Sequence, residues 1–194
     1  MSKQVFVVIG AQGSGKSTQA ERLAKRLGFT RFESGEILRG LALKDEHLRD
    51  FLKTGNLLTD ENIAVIVERF VEDNSSATGF VFDGFPRTIT QGPILKQLAE
   101  KYGWKVVGVN IVISDETAKL RLSKRVSVVD GKETVRDDDR PEIVEKRLRV
   151  YHERTEPILS YFKENFSLIK INGEPDRDAV TSEINAVLAH LLDG

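Results

Sequence analysis

"VFVVIGAQGSGKST", Val5 to Thr18, decides the fold. Its first five residues are apolar and mostly β-branched, a buried strand bounded at once by glycine. The next nine, "GAQGSGKST", fit G-x-x-x-x-G-K-[ST], and the residues from Ser17 to Leu27 carry a helical pattern. Strand, glycine loop and helix in that order form the context in which the loop cradles phosphate: glycine backbone turns N–H groups inward, and the helix adds its positive dipole end. Lys16 supplies a mobile cation for terminal phosphates, and Ser17 or Thr18 a hydroxyl near Mg²⁺. The loop specifies nucleotide phosphates and says almost nothing about the reaction.

Working outward, further strand-like runs occur at Phe80–Phe82, Val106–Val112 and Leu168–Ile171, with a weaker one at Phe29–Phe32. Helical patterns separate them at Ile63–Val71, Gln91–Tyr102, Glu116–Arg125, Pro141–Phe162 and Asp178–Leu192. Strands alternating with helices, apolar enough to be covered on both faces, predict an α/β fold around a parallel five-stranded sheet flanked by helices. Residues 1–194 read as a single domain with two insertions. Residues 33–74 hold several short helical patterns where one crossover helix would suffice. Residues 126–137 contain two β-prone arms around Asp130-Gly131, a strong hairpin signal.

Composition narrows the partners. The 194 residues contain 29 Lys and Arg against 30 Asp and Glu, a formal net charge of −1. Neither nucleic acid nor an anionic membrane is indicated by that balance. No cysteine is present, which excludes disulfides, thiolate chemistry and cysteine-ligated zinc. The first apolar run is only a strand's length, so neither a signal peptide nor a membrane span is expected, and a cytoplasmic monomer is the default reading. His47, His152 and His190 lie in helical segments without metal-ligand spacing and read as surface or packing residues.

A second anchor is "GFVFDGFPRTITQG", Gly79 to Gly92. Asp83 closes an apolar strand, where ligands collect in open α/β sheets, and its carboxylate suits Mg²⁺ held through water. Arg87 follows in a loop constrained by Gly84 and Pro86. Arginine is always charged and binds phosphate bidentately, which suits it to moving a phosphoryl group between two nucleotides. Arg121 and Arg125 are four apart on a helical pattern and are expected to share a face. Arg136 lies at the hairpin exit.

Taken in order, "GxxGSGKSTQ", "SGEILR", "DGFPRT..Q" and "R.DD" followed by "KRL..Y" resemble the adenylate kinases of the nucleoside monophosphate kinase family, over Gly10 to about Tyr161. The resemblance implies the P-loop kinase core, with 33–74 as an NMP-binding lobe and 126–137 as a short lid. It implies reversible Mg²⁺-dependent transfer, ATP + AMP to two ADP. Gly13, Ser14, Gly15, Lys16, Ser17 and Thr18 then hold ATP phosphates, and Arg121, Arg125 and Gly173 its base side. Ser34, Arg39, the Asn56–Leu57–Leu58 backbone, Gly84, Phe85, Pro86, Arg87 and Gln91 line the AMP site, with Gln91 reading adenine and Phe85-Pro86 a cis peptide. Arg136 and Arg147 embrace the moving phosphoryl group, and Asp83 and Ser17 hold Mg²⁺. Gln12, Ser17, Ser34 and Glu36 depart from the family's usual proline, glycine, threonine and aspartate. A UMP/CMP kinase would carry alanine at Ser34 and asparagine at Thr88 and Gln91, so these residues favour AMP. A sensing module that binds two nucleotides without transfer is the alternative from another class.

Overall fold

The structure, a computed structural model, describes residues 3–43, 59–129, 132–135 and 140–192. Strand β1 (Gln4–Ile9) sits at the centre of the sheet, buried at every position after the first. It pairs in parallel with β3 (Gly79–Asp83) on one side and β4 (Lys105–Val112) on the other. Strand β2 (Thr30–Glu33) lies outside β3, and β7 (Ser167–Asn172) outside β4, both parallel. The order β2-β3-β1-β4-β7 is the five-stranded parallel sheet that the apolar runs predict. Strands β5 (Val126–Val129) and β6 (Lys132–Val135) pair antiparallel in a separate hairpin, as the two β-prone arms require.

Because side chains alternate along a strand, β1 feeds two cores. Val5, Val7 and Ile9 join Phe32, Phe80 and Phe82 on one face, covered by α3 (Asp60–Asp73) and α4 (Gln91–Tyr102). Phe6 and Val8 join Val81, Val109 and Ile171 on the other, covered by α1 (Lys16–Leu27) and α8 (Arg177–Leu192). A third cluster joins Ala11 to α5 (Asp115–Ser123) and α6 (Pro141–Val150) through Ala118, Leu122, Val144 and Leu148. Helix α2 (Ser34–Ala42) follows β2 directly. Helix boundaries fall where capping chemistry puts them: Thr59 and Ser114 accept from backbone N–H groups in the first turns of α3 and α5, and Pro141 opens α6.

Two expectations are corrected. The pattern from Pro141 to Phe162 reads as one helix, but it breaks into α6, a π turn at Tyr151–Thr155 and α7 (Ile158–Asn165). The Glu156 N–H reaches back five residues to the Tyr151 carbonyl at 2.8 Å, and Pro157 has no N–H to continue the ladder. The break redirects the chain, so that α6 packs in the third cluster while Ile158 and Phe162 of α7 enter the first. Arg125, in turn, lies beyond the last residue of α5, with its N–H on the Leu122 carbonyl at 3.1 Å. It therefore does not extend a helical stripe from Arg121.

The connections set the location of a site. From β1 the chain runs through α1 to β2 on one side; from β3 it runs through α4 to β4 on the other. The carboxyl ends of β1 and β3 therefore open onto a crevice at the point where the winding reverses. Among the described residues, no helix is long and apolar enough to cross a membrane.

Candidate active site

The glycine loop leaves β1 into this crevice and ends at Gly15, which precedes α1 with φ 86°. No side chain caps α1, so its first N–H groups face the loop rather than a capping oxygen. Gly13 has φ 83°, and a Cβ there would lie 2.8 Å from the Ala118 carbonyl of α5. That spacing is closed to any larger residue and brings the loop against the third helical cluster. The Ser14 hydroxyl oxygen is buried without a hydrogen-bond partner. Ser17 and Thr18 are half-buried in the first turn of α1. Lys16 Nζ folds back onto the loop and donates to the Ala11 carbonyl at 3.3 Å.

Lys16 is lowered from the usual 10.5 to about 8, chiefly by desolvation, with Asp83 opposing the shift and the positive fields of Arg87, Arg147 and Arg125 adding to it. A lysine and three guanidinium groups from separate parts of the chain are thus near enough for their charges to act on one another. Positive charge of this kind beside a helix N-terminus attracts a polyanion.

Asp83 closes β3 within the same crevice. It is 2 % exposed, and its Oδ2 has no hydrogen-bond partner. A buried carboxylate oxygen left open beside a phosphate loop fits Mg²⁺, with the Ser17 hydroxyl as the second protein group. Among the described residues, no group of three or more His, Cys, Asp or Glu could hold a metal by itself.

Beyond Asp83, Gly84 turns the chain with φ 88°, and a Cβ there would collide with Ser34 Oγ and the Arg87 guanidinium. The Phe85–Pro86 bond is cis, as the resemblance implies. Arg87 folds over this turn: Nε donates to the Gly84 carbonyl at 2.8 Å, and Nη2 to Ser34 Oγ at 2.9 Å. Ser34 opens α2 and is 2 % exposed. Gln91, also 2 % exposed, accepts the Arg87 backbone N–H at 2.7 Å through Oε1. So Gly84, Arg87 and Gln91, close in sequence, join the distant Ser34 in one hydrogen-bonded wall.

On the far side of the loop, Arg121 reaches the end of β7. Its guanidinium donates to the carbonyls of Gly173 at 2.9 Å, Glu174 at 2.8 Å and Pro175 at 3.1 Å. Gly173 also donates its N–H to the Val112 carbonyl at 2.8 Å, which pins this loop to β4. Arg121 and Gly173, both assigned to the ATP base side, therefore meet directly. Arg39 lies on α2, and its side chain is outside the described residues. Asn56, Leu57, Leu58 and Arg136 also lie outside them, as does His47.

One residue in this wall has no counterpart in the sequence reading. Asp60, in the first turn of α3, accepts hydrogen bonds from Thr88 Oγ1 at 3.1 Å, Gln91 Nε2 at 2.9 Å and Thr90 Oγ1. In sequence it is a Thr-Asp pair opening a helix, indistinguishable from an ordinary cap. Only the return of α3 to the core gives it three partners.

A phosphate loop at a sheet switch point, a second polar wall across the crevice and arginines converging between them define a phosphotransferase acting between two nucleotides. The adenylate kinase family model matches residues 8–167. An adenylate kinase of Phocaeicola vulgatus is 35% identical over 191 residues, covering 96% of this chain and 98% of its own. Those of Bacteroides thetaiotaomicron and Thermus thermophilus are each 33% identical, over 92% and 95% of this chain and 95% and 97% of their own lengths. The chain belongs to the adenylate kinase family, nucleoside monophosphate kinases that interconvert ATP plus AMP with two ADP.

Proposed function

We propose that this chain performs the family's reaction with its donor site on the glycine loop and its acceptor site on the Ser34–Arg87–Gln91 wall. The observation that carries the assignment is that Lys16 of the loop feels the charges of Asp83, Arg87, Arg147 and Arg125, while Arg87 is hydrogen-bonded to Ser34. Gly13, Ser14, Gly15, Ser17 and Thr18 bind the ATP phosphates through loop N–H groups and hydroxyls, and Lys16 follows the terminal phosphates. Arg121 and the Gly173 loop border the ATP base, with Arg125 between them and the phosphates. On the acceptor side, Ser34, Arg39 and Arg87 hold the AMP phosphate, the Asn56–Leu58 backbone lines the pocket, and Gln91 reads adenine.

Arg136 and Arg147 complete the charge around the moving phosphoryl group. The attacking AMP oxygen is already anionic, so orientation and charge stabilisation carry the step without a general base. Asp83 and Ser17 would hold Mg²⁺ through water, and the ion would supply charge neutralisation at the ATP phosphates. The hairpin β5–β6 serves as the lid and residues 33–74 as the AMP lobe, closing to exclude water from the transfer.

The test is a panel of nucleoside monophosphates supplied with ATP and Mg²⁺, with diphosphate formation measured. AMP is expected to be the preferred acceptor. Preferred turnover of UMP or CMP would overturn the acceptor assignment, and binding of two nucleotides without turnover would favour the sensing module. Arg87→Ala is expected to lower kcat/KM for AMP by about 10³-fold, as loss of a charge-stabilising arginine does, while ATP affinity stays nearly constant. An equal loss of ATP affinity would contradict its place on the acceptor side.

A further inference from the structure

Gln91 is a primary amide, and an amide reads a base edge only as well as its orientation is defined. The two ends of the group, oxygen and NH₂, are nearly equal in size and opposite in hydrogen-bonding sense. In this structure each end has a protein partner that admits one assignment. The Arg87 backbone N–H, 2.7 Å from Oε1, can only donate. The Asp60 carboxylate, 2.9 Å from Nε2, can only accept while ionised. Reversing the amide would set donor against donor at Arg87 and acceptor against acceptor at Asp60. Each end keeps one further valence after these bonds: one acceptor site on oxygen and one N–H on nitrogen.

Asp60 is itself held in place. Thr88 Oγ1 donates to Oδ1 at 3.1 Å, Thr90 Oγ1 donates to Oδ2, and the two hydroxyls are 2.9 Å apart. Two threonines from the turn before α4 and Gln91 at its first position therefore converge on one carboxylate from the first turn of α3. A simple staple between two helices would need one of these bonds. Spending one on the buried amide of Gln91 couples α3 to the acceptor base.

We propose that Asp60 is a positioning residue that fixes the donor–acceptor sense of Gln91 and thereby selects a 6-amino over a 6-oxo purine monophosphate. The inference rests on the assignment of Gln91 to the acceptor base. A 6-amino purine presents a donor at N6 and an acceptor at N1, which the fixed amide complements. A 6-oxo purine presents an acceptor at O6 and a donor at N1–H, which complements only the reversed amide. Burial, the largest single effect, pushes Asp60 up, but the hydrogen bonds from Thr90, Gln91 and Thr88 and the charge of Arg154 together outweigh it and hold Asp60 below the usual carboxylate value, so it stays an acceptor at neutral pH.

The experiment measures kcat/KM for AMP and for inosine monophosphate, with ATP as donor, in five proteins: wild type, Asp60→Ala, Asp60→Asn, Gln91→Ala and the Asp60→Ala/Gln91→Ala double variant. Asp60→Ala is expected to lower the AMP-to-IMP ratio by about tenfold or more with KM for ATP unchanged. Asp60→Asn, which retains an oxygen for Gln91 Nε2, should keep the ratio within about threefold of wild type. In the Gln91→Ala background, Asp60→Ala should move the ratio no further. If Asp60→Ala depresses both substrates equally while Gln91→Ala changes the ratio, Asp60 is a staple only and the proposal fails alone. If Gln91→Ala leaves the ratio unchanged, the adenine-reading assignment fails and takes the proposal with it. Should Asp60→Ala not fold, Asp60→Ser takes its place, since serine suits a helix start but is too short to reach Gln91; an unchanged ratio there overturns the proposal equally.

Discussion

Lys16 shows how much of a residue's chemistry depends on its setting. By sequence it is a lysine in a phosphate loop; in the fold its ammonium is desolvated and faces three guanidinium groups, which brings it down to about 8. Bound phosphate adds negative charge beside the ammonium and raises it again. The sign follows directly: above about pH 8 the free protein loses the Lys16 proton, and ATP must restore it on binding. ATP affinity is therefore expected to fall as pH rises through 8, approaching about tenfold per pH unit well above that value while the complex remains protonated. Calorimetry in buffers of different ionisation enthalpy should show net proton uptake in that range. Affinity independent of pH from 7 to 9, with no uptake, would place the titrating group elsewhere.

Most elements could be found from periodicity and punctuation, and the exceptions share one cause. Strands β1, β3, β4 and β7 coincide with apolar runs, β2 buries only Phe32 and is correspondingly the weakest signal, and α4 spans Gln91–Tyr102, as its pattern predicts. The helix read over Pro141–Phe162 fails because its apolar spacing continues through Tyr151–Thr155 while the chain changes cores. Periodicity detects an apolar stripe but not which surface the stripe meets. His152 sits in that π turn and bridges two elements: Nδ1 is 2.9 Å from Glu156 Oε2, and Nε2 is 2.9 Å from Asp115 Oδ1 at the start of α5. The hydrogen bonds to Glu156 and then Asp115 raise it above the ordinary 6.5, against a smaller effect of burial. A raised folded value means the clasp contributes fully below 6.5 and is lost as pH rises through that raised value. His152→Ala should therefore destabilise the protein at about pH 5.5 and converge with wild type by about pH 9, measured by denaturant unfolding. A deficit that stays constant across that range would assign the loss to packing.

At the scale of the molecule, the two cores on either face of the sheet hold the crevice in register. The first core carries an aromatic network, with Phe82 edge-on to Phe32 at 5.5 Å and to Phe85 at 6.1 Å, and Trp104 at 6.0 Å. Phe82 is fully buried one residue before Asp83, so packing and site share a strand. Phe82→Ala is expected to cost about 3–5 kcal/mol in unfolding free energy, as other buried phenylalanine truncations do. Unfolding followed by the fluorescence of Trp104, the one tryptophan, would measure it; a loss under about 1 kcal/mol would mean the network repacks around the gap. The sequence by itself determined the phosphate loop and the alternation of strands and helices, and it set out the residue types expected at two nucleotide sites. These are local patterns: glycine at tight turns, apolar runs of strand length, arginine and lysine beside phosphate motifs. Only the tertiary structure decided which of those residues meet. Ser34 with Arg87, Arg121 with Gly173, and Asp60 with Gln91 are pairs separated by 53, 52 and 31 residues. Each is made by helices and strands returning to one edge of the sheet, and no local pattern records where a distant segment comes to rest.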